Sequence, residues 1–348
     1  MRKLALAACC LLIAGCLKSD DAPGPTEPLT IGPCSPFAEP DFVGGQEFSG
    51  ANAFAHVLRL ACDFSKDPPE GQYRVPGTKE RIEAALYLEQ TLRSAGWSAT
   101  YQNFTGEDYQ GLPKGSVGYF ARNCAPEDVE RVKRLEFSNV MGSVGNESPE
   151  YVFLAHYESQ RRASRDNDSA NRTLPVLGAN DGLSGVGVLL ELARVLKTTG
   201  SADRIRLLFV DGEDGFEDCH PLAGSIYYAQ TMSRADQEAL RAAVLLDMVG
   251  DQRPHFCYSH NSTRLRDDVK NAARDARAAL LAEAHDCSGG LLDDHTSFMD
   301  SGLPAIDIID YANGFPAQWN TRQDWPEKLS VETLAEVGRT LHRLSRDR

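Results

Sequence analysis

The chain has 348 residues, 42% of them hydrophobic and 25% charged, with a formal net charge of −14. That length holds one large domain or two small ones, and the apolar content supports a packed core rather than global disorder. Such an acidic chain fits nucleic acid poorly, because phosphate recognition relies on basic surfaces, and no internal stretch is long and apolar enough to span a bilayer.

At the N-terminus Arg2 and Lys3 precede an apolar run over 4–15, LALAACCLLIAG, which is short for a membrane span and suits a signal h-region. The run closes on Ile13, Ala14, Gly15 and Cys16, which resembles the bacterial lipoprotein box. That resemblance implies cleavage before Cys16 and lipidation of its thiol and amine; the other route is an ordinary signal peptide cut nearby. Lipidation is favoured, because small residues followed by Cys are what that processing requires. Leu17 rather than Asp follows the cysteine, which by resemblance to enterobacterial sorting implies the outer membrane if the cell is Gram-negative. The expected organisation is a signal peptide over 1–15, a lipidated tether over 16–45 rich in Pro, Gly and acids, and one folded domain over 46–348. Export, with membrane contact through the lipid anchor only, is the expected localisation.

Nine cysteines agree with export. Cys9 and Cys10 leave with the signal and Cys16 carries lipid. The remaining six are Cys34, Cys62, Cys124, Cys219, Cys257 and Cys287, an even number that permits disulfides without specifying their pairing. No CxxC pair exists, which argues against a thiolate zinc site.

After the tether, strands alternate with helical patterns. Over 78–95, Ile82, Ala85, Leu86 and Leu92 keep a helical period, and Gly96 is a natural stop. YVFLAH (151–156) reads as a buried strand. GLSGVGVLLELARVLK (182–197) reads as a helix with Val186, Leu189, Leu190 and Ala193 on one face. IRLLFVD (205–211), AAVLLDM (242–248) and LPAIDIIDY (303–311) read as further buried strands. Ser330 can cap a last helix carrying Leu334, Val337, Leu341 and Leu344. The alternation predicts an α/β fold, a mainly parallel sheet with helices on both faces, whose ligands sit at the carboxyl ends of the strands.

Three of these strands end in residues of metal-binding type. YVFLAH ends in His156, LLFVD leads to Glu213 and Asp214, and VLLD ends in Asp247; Asp181 lies just before a helix N-terminus. Taken singly, each has a bland explanation as a polar turn, a structural His or a helix cap. Together, carboxylates that converge from one sheet repel one another, and a divalent cation resolves the conflict. Zinc accepts imidazole and carboxylate together, leaving one acid free as a proton carrier.

These residues lie in segments that resemble the zinc aminopeptidases of metallopeptidase family 28, and especially their glutaminyl cyclase-like bacterial branch. The resemblance covers about 70–345 and rests on RVPGT (74–78), FSNVMGS (137–143), LAHYES (154–159), LGANDGLSGVGVLLELARVL (177–196), FVDGEDGF (209–216), VLLDMVGD (244–251), DDHTSFMDSGLPAIDIIDY (293–311) and WNTRQD (319–324). RVPGT, DDHTSF with a following Trp, and the GFEDCHPLAGS insert lean toward the cyclase branch. The resemblance implies that 46–348 is the catalytic domain, that one or two zinc ions are bound, and that the substrate is a peptide handled by a monomer. It makes His156, Asp181 and Asp247 one metal position, and Asp181, Asp214 and Asn320 the other. Glu213 becomes general base or proton shuttle, Asp294 part of a proton network near it, and Trp319 a lining residue of the substrate pocket. Asp211 is expected to brace its turn, and Glu217 and Asp218 to face solvent.

Two departures qualify this. The family pattern has His in WHTxxD, where this chain has Asn320. An amide oxygen is a weaker, harder donor than imidazole nitrogen. Single-metal cyclases of the family use this second position, so the expectation here is that a single ion prefers the His156 side. Glu158 stands where Asp is usual, altering the support of His156. Among other histidines, His56, His255, His260, His285 and His342 read as surface or structural and His295 as a network or helix-start residue; His220, in the insert after the acids, is the one alternative candidate for the missing ligand, and not the favoured one. GVGVLL lies in a helical pattern with no phosphate lysine, so it is not a nucleotide loop. Three functions follow: glutaminyl-peptide cyclotransferase, zinc aminopeptidase, and an inactive binding lipoprotein silenced by Asn320.

Overall fold

In the computed structural model of the chain, residues 42, 44–64, 73–110, 126–214 and 222–346 are described. The signal peptide, nearly all of the expected tether, Cys34, Cys124, Cys219, Glu217, Asp218 and His220 lie outside them. None of the described helices is long and apolar enough to cross a membrane.

Among its described elements, the chain runs through α1 (Gly50–Cys62), α2 (Lys79–Ser94), β1 (Ser98–Thr105), α3 (Gly106–Gln110), α4 (Pro126–Lys133), β2 (Glu136–Ser143), β3 (Tyr151–His156) and α5 (Leu183–Thr198). It continues through β4 (Ile205–Val210), α6 (Ala223–Thr231), α7 (Arg234–Ala239), β5 (Ala242–Asp247), β6 (Phe256–His260) and α8 (Thr263–Asp275). Then come α9 (Ala279–Glu283), β7 (His285–Asp286), α10 (Asp294–Asp300), β8 (Ala305–Asp310) and α11 (Val331–Leu344). Among the described residues the strands form one 8-stranded sheet in the order β1-β2-β4-β3-β5-β8-β6-β7. Its centre, β4-β3-β5-β8, is parallel. The β1-β2 edge and the β6–β8 pairing are antiparallel, so the expected parallel sheet is the middle of a mixed one.

Every residue of β3, β5 and β8 is buried, as continuous apolar runs require when both faces are covered. Alternate side chains feed two cores. Phe153 and Ala155 join Val186 and Leu189 of α5 and Leu334 of α11, whereas Val152 and Leu154 join Tyr228 of α6 and Phe298 of α10. Ser330 caps α11 by accepting from Thr333 N–H, and Leu334, Val337, Leu341 and Leu344 are all buried.

One helical face is rotated from its expectation. Ile82 and Leu86 of α2 are 51% and 45% exposed, and the buried stripe is Arg81, Ala84, Ala85, Leu88 and Leu92. An ion pair turns the helix: Arg81 lies 3.5 Å from the fully buried Asp211 and donates to Glu136 O at 2.8 Å. Its stem then fills the place that periodicity assigned to Ile82. Cys257 and Cys287 form a disulfide that ties β6 to the segment before α10, and Cys62 is also disulfide-bonded.

Helix α5 starts one residue later than its pattern suggested, with Gly182 as N-cap at φ +85°. A Cβ there would lie 2.6 Å from His156 Cε1 and 2.7 Å from His156 O. Gly182→Ala therefore combines a left-handed backbone with a clash against a buried ring, and should cost about 2–4 kcal/mol in denaturant unfolding. Gly290, with open space around its Cα, should tolerate Ala within about 0.5 kcal/mol. Equal costs for the two substitutions would refute this packing account.

Candidate active site

Strands β3 and β5 deliver His156 and Asp247 at their carboxyl ends, and the turn after β4 delivers Glu213 and Asp214. The β3–β4 register pairs His156 with Val210, which puts the DGED turn beside the imidazole. Asp181 comes from the loop that feeds α5. His156 Nε2 lies 3.1 Å from Asp181 Oδ1 and 3.4 Å from Asp247 Oδ1. Ligand atoms of His156, Glu158, Glu213 and Asp214 also lie within 4.8 Å of one another. Chain segments far apart in sequence thus bring His156, Asp181, Asp247, Glu213 and Asp214 together.

The supports are specific. Glu158, fully buried, accepts on one oxygen from Glu213 N–H at 2.7 Å and Asp214 N–H at 3.0 Å, and that oxygen lies 3.5 Å from His156 Nδ1. The longer side chain at 158 therefore links the imidazole to the acidic turn. Against the cost of burial, the His156 charge holds its carboxyl below the ordinary value. Asp324 accepts from Asn180 N–H at 2.8 Å and Asp181 N–H at 3.0 Å, which aims Asp181 at His156. Asn180 Oδ1 in turn accepts from Gly250 N–H at 2.8 Å, joining the loop after β5 to the same frame. Asp211 accepts from Ser138 N–H at 2.8 Å, so it braces the end of β4 against β2 instead of reaching the centre.

Behind the turn lies a second group of buried acids. Burial first, then the charge of Asp214, pushes the Glu213 carboxyl well above its usual range, and Asp293 and Asp294 push it the same way. Burial carries Asp294 up to about 7. Asp293 caps α10 in a reciprocal capping box with Thr296. Asp307, at mid-strand in β8, has both oxygens buried without a hydrogen bond among the described residues. His295 Nε2 pairs with Ser259 Oγ at 2.9 Å, its Nδ1 lies 3.8 Å from Asp307, and burial lowers its pKa to about 3, leaving it neutral. Asp293, Asp307 and Asp324 were not singled out from sequence. Asp324 could have been, as the acid closing WNTRQD.

Asn320 is 7% exposed at φ +52°, a left-handed conformation that Asn tolerates, and its Oδ1 is buried without a hydrogen bond among the described residues. Trp319 stacks on Phe315 with centroids 3.7 Å apart, and the Arg165 guanidinium lies 4.2 Å from the same indole centroid. Among the remaining histidines, His56 is buried against Tyr87 at 2.7 Å, and His260 pairs with Asp286 at 3.1 Å.

Asp181 Oδ2, Asp247 Oδ1 and Asn320 Oδ1 are buried acceptors lacking hydrogen bonds among the described residues. Two carboxylates converging on one imidazole nitrogen, with free buried oxygens, fit a divalent ion that takes mixed nitrogen and oxygen donors, as zinc does.

The parallel centre of a mixed sheet, with its strand ends converging on such a cluster, has the architecture of a candidate metal site. Peptidase family M28 matches residues 139–345, more than half of the 348-residue chain. The chain belongs to this family. Over 320 residues it is 25% identical to a glutaminyl-peptide cyclotransferase of Drosophila melanogaster, covering 83% of this chain and 78% of that protein. The crystal structure of a glutaminyl cyclase from Bacteroides thetaiotaomicron bound to N-acetylhistamine aligns with a TM-score of 0.71 at 27% identity, covering 87% of this chain and 99% of that one. A Zn-dependent exopeptidase from Parabacteroides distasonis aligns with a TM-score of 0.70 at 27% identity, with the same coverage. The relatives are thus glutaminyl cyclases and zinc peptidases.

Two outcomes follow from this geometry. Glu158→Ala removes the acceptor of two buried N–H groups and the charge facing His156; zinc affinity, read by competition with a chelator, should fall by about 10–100-fold. Glu158→Gln, which keeps an acceptor oxygen, should fall less. The second outcome concerns pH. Carboxyls raised by burial add stability that is complete below the unfolded carboxylate value of about 4 and is lost as pH rises through the folded value. Those folded values are about 6 for Asp211 and about 7 for Asp294 and Asp324. His156, raised well above its ordinary value by Glu158, Asp181 and Asp247 against the cost of burial, acts in the same direction. Melting temperature with chelator should therefore fall between about pH 5 and 8. It should fall less with zinc, and a metal-free melting temperature that rises over this interval would contradict the assignment.

Proposed function

We propose that the chain is a zinc-dependent glutaminyl-peptide cyclotransferase, converting the N-terminal Gln of peptides to pyroglutamate with release of ammonia. The observation that carries this reading is the pairing of a raised Glu213 carboxyl with one full His156–Asp181–Asp247 donor set, while the second position expected from Asp181 and Asp214 has an amide, Asn320, in place of an imidazole. Cyclisation consumes no water and needs one electrophilic centre, so one well-equipped position suffices. Peptide hydrolysis draws more on a second ion to stabilise both the attacking and the tetrahedral oxygen.

His156, Asp181 and Asp247 would hold the ion, with Asp214 and Asn320 as the weaker position, and a bound metal would supply Lewis-acid polarisation of the Gln side-chain amide. The surrounding carboxylates attract the substrate's N-terminal ammonium. Once deprotonated, the α-amine attacks the amide carbon, and a new C–N bond closes the five-membered lactam. Glu213, whose carboxyl is held well above its usual range by burial and then by Asp214, takes the proton from the attacking nitrogen and returns it to the departing one. The original amide C–N bond breaks and ammonia leaves. Asp294 and Asp293 raise the proton affinity of Glu213, and Glu158 fixes the turn that carries it. Lipid-anchored export, supported by Cys16 and its preceding small residues, would place this chemistry at the cell envelope.

The second reading is a zinc aminopeptidase. It is favoured by the likeness to the Parabacteroides exopeptidase, and gives Glu213 a water to deprotonate. A soluble chain starting after Cys16, supplied with zinc and a peptide beginning in Gln, separates the two by mass spectrometry. Loss of one ammonia above the spontaneous rate, reduced at least about 100-fold by Glu213→Gln, is expected. Loss of the whole first residue would instead establish the aminopeptidase. Activity appearing only in Asn320→His would mean that the missing imidazole silences the native site.

A further inference from the structure

The segment after Glu158 is fastened to the loop that carries Asn320. Arg165 N–H donates to Asn320 O at 3.1 Å. Arg322 N–H donates to Asp166 Oδ2 at 2.9 Å, and Arg322 Nη1 donates to Pro175 O at 2.8 Å. Asp166 is 2% exposed and also accepts from Asp168 N–H and Asn171 Nδ2, so the loop has an internal frame of its own. That frame sets Arg165 against Trp319. Phe315 and the guanidinium both lie within 4.2 Å of one indole centroid and cannot share a face, so the ring is sandwiched between them.

Apart from its contact with the indole, the charge of Arg165 has no partner among the described residues. The residue is exposed, and no carboxylate of the described residues pairs with it, in a chain of net charge −14 whose nearby centre is crowded with acids. Stacking occupies the flat face of a guanidinium and leaves the N–H edges of its fork free. Those edges suit a carboxylate, which they hold by paired charge-assisted hydrogen bonds.

We infer that Arg165 is a specificity-determining residue, whose guanidinium, braced on Trp319, receives a substrate carboxylate lying just beyond the N-terminal residue. This rests on the reading that a peptide enters the acidic centre N-terminus first. The same acids that attract its ammonium repel a carboxylate further along the chain, and the exposed Arg165, beside the Asn320 loop, offsets that repulsion. The carboxylate can come from an Asp or Glu side chain at the second or third residue, or from the C-terminus of a dipeptide.

The test compares kcat and KM of the zinc-supplied protein on Gln-Glu-Ala amide, Gln-Ala-Glu amide, Gln-Ala-Ala amide, Gln-Lys-Ala amide, Gln-Ala and Gln-Ala amide. At least one acidic tripeptide should exceed the Ala tripeptide by about tenfold in kcat/KM, mostly through KM, because the contact is remote from the reacting bond. A preference for free Gln-Ala over its amide would assign the terminal carboxylate as a source. Arg165→Gln should level the series, and Arg165→Glu should turn it toward the Lys peptide. A flat series in the native protein, or a preference that survives both variants, overturns the inference. If no peptide is cyclised or cleaved, the functional reading fails separately. Calorimetric binding of the same peptides then decides Arg165: acidic peptides binding more tightly, and losing that advantage in Arg165→Gln, supports it, and equal binding refutes it.

Discussion

Two carboxylate oxygens, one from Asp181 and one from Asp247, stand within 3.4 Å of a single imidazole nitrogen, in a site from which water is largely removed. Charges so placed repel at a fraction of water's dielectric screening, and the arrangement persists only with positive charge among them, whether a proton on His156 or a cation. Much of the surrounding structure serves that requirement. The parallel strands present their ends on one side, Gly182 clears space for the His156 ring, and Asp324 holds the backbone that aims Asp181.

The neighbouring acids differ in role because they differ in surroundings. Asp211 ends its strand facing Arg81 and the Ser138 N–H, and becomes a brace. Two residues later Glu213 has its backbone tied down by Glu158 while its carboxyl faces other acids. A residue that is structurally fixed but electrostatically uncomfortable is suited to exchanging protons, since its charged form has been made costly in advance. Glu158 is the counterpart: equally buried, but compensated by two N–H donors and His156, so that its charge is retained.

The central strands, the last helix and the principal acids were legible in the sequence because each rests on a local signal. A continuous apolar run reads as a strand buried on both faces, and a polar residue at its end stands out. The orientation of α2 was not legible, because a long-range ion pair between Arg81 and Asp211 outweighed the period of Ile82 and Leu86. The roles of Asp307 and Asp324 were hidden for a similar reason: an acid inside LPAIDIIDY or closing WNTRQD gains its meaning from backbone and side chains more than a hundred positions away in the case of Asp324. Asn320 was visible as a departure, and its side-chain oxygen is buried without a hydrogen bond among the described residues. The bridging role of Glu158 depended on the turn at 213–214 and could not be seen from LAHYES itself.

The groups that converge at the centre come from positions 156, 181, 213, 214 and 247, on separate segments around a sheet whose order is not the order of the chain. Pairing parallel strands across such distances must precede any close approach of these groups, and long-range pairing of this kind is slow. A nascent or partly collapsed chain therefore offers an ion only scattered single ligands. Metal acquisition is a late event in the life of this molecule, belonging to whichever compartment the chain completes its sheet in, and the availability of metal there decides what is loaded.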